Sequence, residues 1–143
     1  MTDHNSLPKW LMPVVTVALI WNLMGVSVFI MQIMLTPDAI AELPPAEAAL
    51  YENIPLWVNV AFAIAVCGGA LGCILLLVRK SLAYPILGLS LLGVLVQMYH
   101  AFVMTNSFEV YGPAGTIMPI MVVLIASGLL WLAKAAKQNN WTE

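Results

Sequence analysis

Four long apolar runs divide this chain, at approximately 10–35, 55–78, 82–104 and 115–133. About 20 helical residues cover the ~30 Å of a bilayer's hydrocarbon, so each run is long enough to cross it. The polar stretches between them differ in length. Only a few residues separate the second run from the third, which makes those two helices antiparallel neighbours. The segment 105–114, TNSFEVYGPA, is a polar turn with Gly112-Pro113 as its breaker. The segment 36–54, TPDAIAELPPAEAALYENI, is the one long connection. Thr36 before Pro37 is a helix-start pattern, and Pro44-Pro45 followed by Glu47 repeats it. One or two short surface helices are expected there, with Ile40, Leu43, Leu50 and Tyr51 turned to the membrane or the bundle. Pro13, Pro85 and Pro119 fall in the first turns of their runs, where a missing N–H costs little. The pattern predicts an all-α membrane protein: a single domain over 1–143, an antiparallel four-transmembrane-helix bundle with short outer-surface helices between helices 1 and 2. The polar tail after Lys137 is expected to fray.

Charge adds orientation. All five basic residues lie at one end of these spans: Lys9 before the first, Arg79 and Lys80 between the second and third, Lys134 and Lys137 after the fourth. Asp38, Glu42, Glu47, Glu52 and Glu109 fall in the other two connections. Lys and Arg are retained on the cytoplasmic face during insertion, so both termini are expected in the cytoplasm, with segment 36–54 as an outer cap. Trp10, Trp57, Tyr84, Tyr111 and Trp131 fall near predicted span ends, where amphipathic rings sit at headgroup level. Trp21 breaks that pattern, near the middle of span one.

Composition narrows the classes. The chain is 62% hydrophobic and 8% charged, against about a quarter charged in soluble domains. It has no basic patch beyond short juxtamembrane pairs, which argues against nucleic acid as a partner. The first run is too long for a signal-peptide core and no small-residue cleavage motif ends it, so a retained span is expected. Cys67 and Cys73 lie on one helix about 9 Å apart in rise and cannot bridge each other. No nucleophile motif, phosphate loop or paired catalytic carboxylates appear, so an enzyme is not expected. Nor is a cofactor or a metal: His100 is the lone intramembrane His, His4 lies in the N-terminal tail, and zinc or haem needs more ligands than this spacing offers.

Small and polar residues inside the spans are the candidates for packing and binding. Ala61, Ala65, Gly68 and Gly72 form a stripe on span two that lets another helix approach closely, either Gly88 and Gly93 of span three or a second copy of the chain. Asn22, Gly25, Phe29 and Gln32 share one face of span one, and Gln97 and His100 one face of span three. The topology gathers Gln32, Asn59, Gln97, His100, Glu109 and Tyr111 toward the outer leaflet, with Asn22 deeper. Polar groups cost several kcal/mol in lipid, so they should face the bundle, either as interhelical hydrogen bonds or as an outward-opening pocket. His100 is the one ionisable group within a span, and Glu109 is its most plausible acidic partner. If they meet, the imidazole gains proton affinity and becomes a pH-sensitive gate.

The stretch Trp21-Asn22-Leu23-Met24-Gly25, the run Gly68-Gly69-Ala70-Leu71-Gly72, Leu91-Leu92-Gly93-Val94 with Gln97, and Glu109-Val110-Tyr111-Gly112 together resemble a small family of bacterial four-span inner-membrane proteins. The resemblance covers roughly 21–131. That family often carries a sugar-transporter label, which implies a lean toward transport and brings no site residues with it. The leading expectation is a small integral inner-membrane protein linked to solute transport or permeation, a homo-oligomer associating through the small-residue helix faces. A polar outer-leaflet pocket of Asn22, Gln32, Asn59, Gln97 and His100, with Glu109 and Tyr111 at its mouth, would take a small solute. The rival expectations are an accessory subunit of a larger membrane complex and a helper that binds a lipid or quinone between helices.

Overall fold

The computed structural model describes residues 7–52, 54–105 and 107–143. His4 lies outside them. Among the described residues four helices are long and apolar enough to cross a membrane, so this is a multi-pass membrane protein. They are α1 (Leu11–Ile33), α4 (Leu56–Leu77), α5 (Ala83–Tyr99, continued by a π-helical turn over His100–Met104) and α7 (Ile117–Gln138). Between α1 and α4 lie the two short helices of the cap, α2 (Pro37–Ala41) and α3 (Pro45–Glu52). Helix α6 (Ser107–Tyr111) and a 3-10 turn (Pro113–Thr116) join α5 to α7.

Local chemistry explains these limits. Pro13, Pro85 and Pro119 are each the third residue of their helix, among the N–H groups that have no intrahelical partner anyway. The Thr36 hydroxyl accepts from Ala39 N at 3.2 Å and caps α2. Gly112 has φ 72°, a left-handed conformation that turns the chain into the 3-10 segment. The expected regular helix to Met104 widens instead, because Thr105 N bonds to His100 O five residues back, at 3.0 Å.

Helices α4 and α7 end in the same way. Arg79 (φ 61°) and Asn140 (φ 59°) take the left-handed position just past each helix. Lys80 N donates to Leu75 O and Trp141 N to Ala136 O, both at 2.8 Å, which satisfies carbonyls of the last turn. The tail after Lys137 therefore does not fray, contrary to expectation. Glu143 N donates to Arg79 O, and Ser81 N donates to the Glu143 main-chain oxygen, each at 2.7 Å. Arg79 Nε holds Trp141 O at 2.8 Å, Lys80 faces the Glu143 carboxylate at 3.8 Å, and the Trp141 ring stands edge-on to Trp10. Burying Trp141 against the core ties the last residues to the α4–α5 turn, so polarity alone was a poor guide here.

Helix α4 lies between α1 and α5, and α5 between α4 and α7. The face of α1 that carries Asn22, Gly25, Phe29 and Gln32 is its contact with α4. Asn22 covers Gly69, Gly25 approaches Val66, Phe29 packs on Phe62 with ring centroids 5.3 Å apart, and Gln32 bonds Asn59. The stripe Ala61, Ala65, Gly68 and Gly72 faces α5 of the same chain. A Cβ at Gly93 would stand 2.7 Å from Ala61 O, Gly68 lies against Ser90, and Gly72 against Leu87. The buried Ser90 hydroxyl donates to Ala65 O at 2.6 Å across this contact. The stripe is thus used within the chain, and the expected self-association through it is corrected: that face is not open to a second copy.

The core sits at one end. Leu11, Val15, Cys73, Leu76, Ala83, Leu87, Leu129, Leu132, Ala133 and Ala136 form one buried cluster, all from the halves of their helices nearest the basic residues. Toward the acidic end α1 and α7 stand apart over the α4–α5 pair. That divergence creates the site.

Candidate functional site: a membrane-level cleft and a cap cavity

A cavity of about 350 Å³ opens between α1, α4, α5 and α7, from mid-span toward the acidic end. Trp21, Gly25 and Val28 of α1 form one wall, and Pro119, Val122 and Ala126 of α7 the opposite one. Phe62 and Val66 of α4, with Val94 and Met98 of α5, form the floor. Its size falls within the range of small-molecule pockets, roughly 300–1,000 Å³. The surface is almost wholly apolar. Its polar side chains are Asn22, Ser90 and Gln97, and two of them are already used. The Asn22 amide nitrogen donates to Ala18 O at 2.8 Å and lies 3.8 Å from Cys73 Sγ, while Ser90 is bonded to Ala65 O. No hydrogen bond to the Gln97 amide exists among the described residues.

A second cavity, about 210 Å³, lies beneath the cap. Gln32, Leu35, Ile40, Tyr51, Glu52 and Asn59 line it, and the Gln32 amide donates to Asn59 Oδ1 at 3.0 Å on its wall. The Phe29–Phe62 pair sits one turn deeper on the same two helices.

The single polar pocket expected from the sequence is therefore divided. Asn22 and Gln97 line the large cleft, and Gln32 and Asn59 the cap cavity. His100, Glu109 and Tyr111 line neither. The half-buried His100 ring stands edge-on to Trp57, with centroids 5.4 Å apart. Glu109 is exposed, and among the described residues no ion pair joins it to His100. Tyr111 meets the cap instead. Desolvation at the cap raises its phenol to about 12, and the neighbouring Tyr51 and Glu47 add to the shift.

The α7 wall and Ser90 escaped sequence reasoning. An apolar residue in a span looks the same whether it faces lipid or a cleft, and Ser90 carries too little polarity to stand out. Trp21 did leave a signal: a large aromatic at mid-span, away from the headgroups, now lines the cleft. Comparison with protein-family models, curated proteins and solved structures finds no match to the chain.

Proposed function

We propose that this protein holds a membrane-dissolved, mostly apolar molecule in the cleft between α1, α4, α5 and α7. The ligand is lipid- or quinone-like: an apolar chain bearing a carbonyl or hydroxyl group that the Gln97 amide would bond. The orientation belongs to the same proposal, with the termini and the α4–α5 turn in the cytoplasm of a bacterial inner membrane and the cleft in the outer half of the bilayer. One observation carries the reading: an amide with no protein partner among the described residues borders a cavity that is otherwise almost wholly apolar. A lone amide in hydrocarbon is costly, and a ligand that supplies its hydrogen bond removes that cost.

The same geometry gives less support to the permeation of a polar solute. Gln32 and Asn59 bond each other, Ser90 bonds backbone, and the closely packed cluster around Leu87 and Leu129 lies between the cleft and the basic end. The test is native mass spectrometry of protein released from mild detergent, with a fluorescent fatty-acyl probe as the binding assay. Wild type should retain an apolar adduct. Ala126→Trp, which fills the cleft, should lose it, and Gln97→Leu should bind the adduct about fivefold more weakly, the worth of one neutral hydrogen bond. The proposal fails if wild type takes up no adduct or probe, or if both variants bind like wild type.

A further inference from the structure

We propose that the cavity beneath the cap is a second site, one that takes an organic ammonium group. This inference does not depend on what fills the cleft. The cavity is walled by Ile40, Leu35 and Ile54, and its polar groups are the Glu52 carboxylate, the Tyr51 hydroxyl and the Gln32–Asn59 amide pair. Because Gln32 donates its Nε2 to Asn59 Oδ1, the Gln32 carbonyl oxygen remains an acceptor. A carboxylate, a phenol and an amide thus border a space with aliphatic walls, the chemistry that holds an ammonium on a carbon stem.

Charge agrees with this. The two connections at this end contain Asp38, Glu42, Glu47, Glu52 and Glu109 and no Lys or Arg, since every basic residue lies at the other end. Among the described residues Glu52 makes no ion pair. Glu52 is exposed at the rim of the cavity, and the connections at this end carry no basic side chain, so a cation is the favoured occupant. A bare metal ion fits poorly. No group of three or more His, Cys, Asp or Glu suited to a metal occurs among the described residues, and aliphatic side chains supply much of the wall. The same ammonium chemistry is offered by the headgroup of an aminophospholipid at the bilayer edge and by a free alkylamine in the adjoining solution.

Binding of butylammonium to the purified full chain, followed by calorimetry, tests the site. Wild type should bind it, and Glu52→Gln should weaken binding about two- to fivefold, the worth of an ion pair at an exposed carboxylate. Glu42→Gln removes the same charge from an exposed cap position outside the cavity and should have little effect. The proposal is overturned if Glu52→Gln binds like wild type, if Glu42→Gln weakens binding as much, or if uncharged butanol binds as tightly as butylammonium. Native mass spectrometry from nanodiscs of mixed phosphatidylethanolamine and phosphatidylcholine then separates the sources. Selective retention of phosphatidylethanolamine, lost in Glu52→Gln, assigns the lipid headgroup; butylammonium binding without that selectivity assigns a free amine. Loss of the cleft adduct in Ala126→Trp with butylammonium binding intact would mark the two sites as separate.

Discussion

Gly93→Ala offers the most direct test of how this bundle is held together. The added Cβ would stand 2.7 Å from Ala61 O and 2.9 Å from Ala65 N. Both are main-chain atoms of α4, so no side chain can rotate away. Instead α4 and α5 must part by several tenths of an ångström, which also stretches the 2.6 Å bond from Ser90 to Ala65 O. Overpacking of this kind costs about 1–3 kcal/mol. Replacing a mid-helix glycine by alanine returns about 1 kcal/mol of helix propensity, so the net expectation is a loss of ~0–2 kcal/mol. Gly128→Ala provides the reference. It lies on α7, and a Cβ there meets nothing within 4 Å. That variant should be neutral or more stable by up to about 1 kcal/mol. The propensity gain cancels between the two, which leaves a difference of about 1–3 kcal/mol as the cost of separating the helices. Unfolding in mixed micelles of rising SDS fraction, followed by circular dichroism, measures both variants under one condition. If Gly93→Ala is as stable as Gly128→Ala, then α4 and α5 are not in the close contact described, and the floor of the cleft is misplaced.

Two further outcomes are expected. Trp141→Ala should release the C-terminal tail: the Ser81 and Glu143 amides, bonded in the folded protein, should lose protection in hydrogen exchange, with a stability loss of at least ~0.5–1.5 kcal/mol from the Trp10 ring contact alone. Tyr111 should ionise above the ordinary phenol range. Its phenol is raised from 10.0 to about 12, so the unfolded chain loses this proton first. The stability it contributes is then complete below pH 10 and disappears as the pH rises through 12. Ultraviolet titration of wild type and Tyr111→Phe checks this, because the step near pH 12 should be absent from the variant.

Much of the α1–α4 contact is legible in the sequence, because polar and small residues are scarce inside spans and their spacing marks a face. Asn22, Gly25, Phe29 and Gln32 follow one side of α1, and each meets α4. The same scarcity did not reveal which polar residues meet. Gln32 and Gln97 occupy similar depths, yet they line different cavities, since depth along a helix says nothing about the direction in which a side chain points. His100 and Glu109 show the same gap: the topology brings them to one end, but α6 leaves Glu109 exposed while His100 packs against Trp57.

The sequence by itself determined the four spans, the cap helices and the separation of basic from acidic ends. Those follow from local chemistry, since a chain in hydrocarbon must satisfy its backbone within each helix and its charges must stay near water. Only the tertiary structure decided the order α1, α4, α5, α7, the use of the small-residue stripe within the chain, and the opening of α1 from α7 that makes the cleft. The physical reason is that lipid is as apolar as a protein core, so hydrophobicity no longer marks which side of a helix is inside. What remains is shape: where glycine and alanine let backbones touch, as at Gly93, the helices close, and where larger residues line both walls, as at Trp21 and Val122, they leave a space.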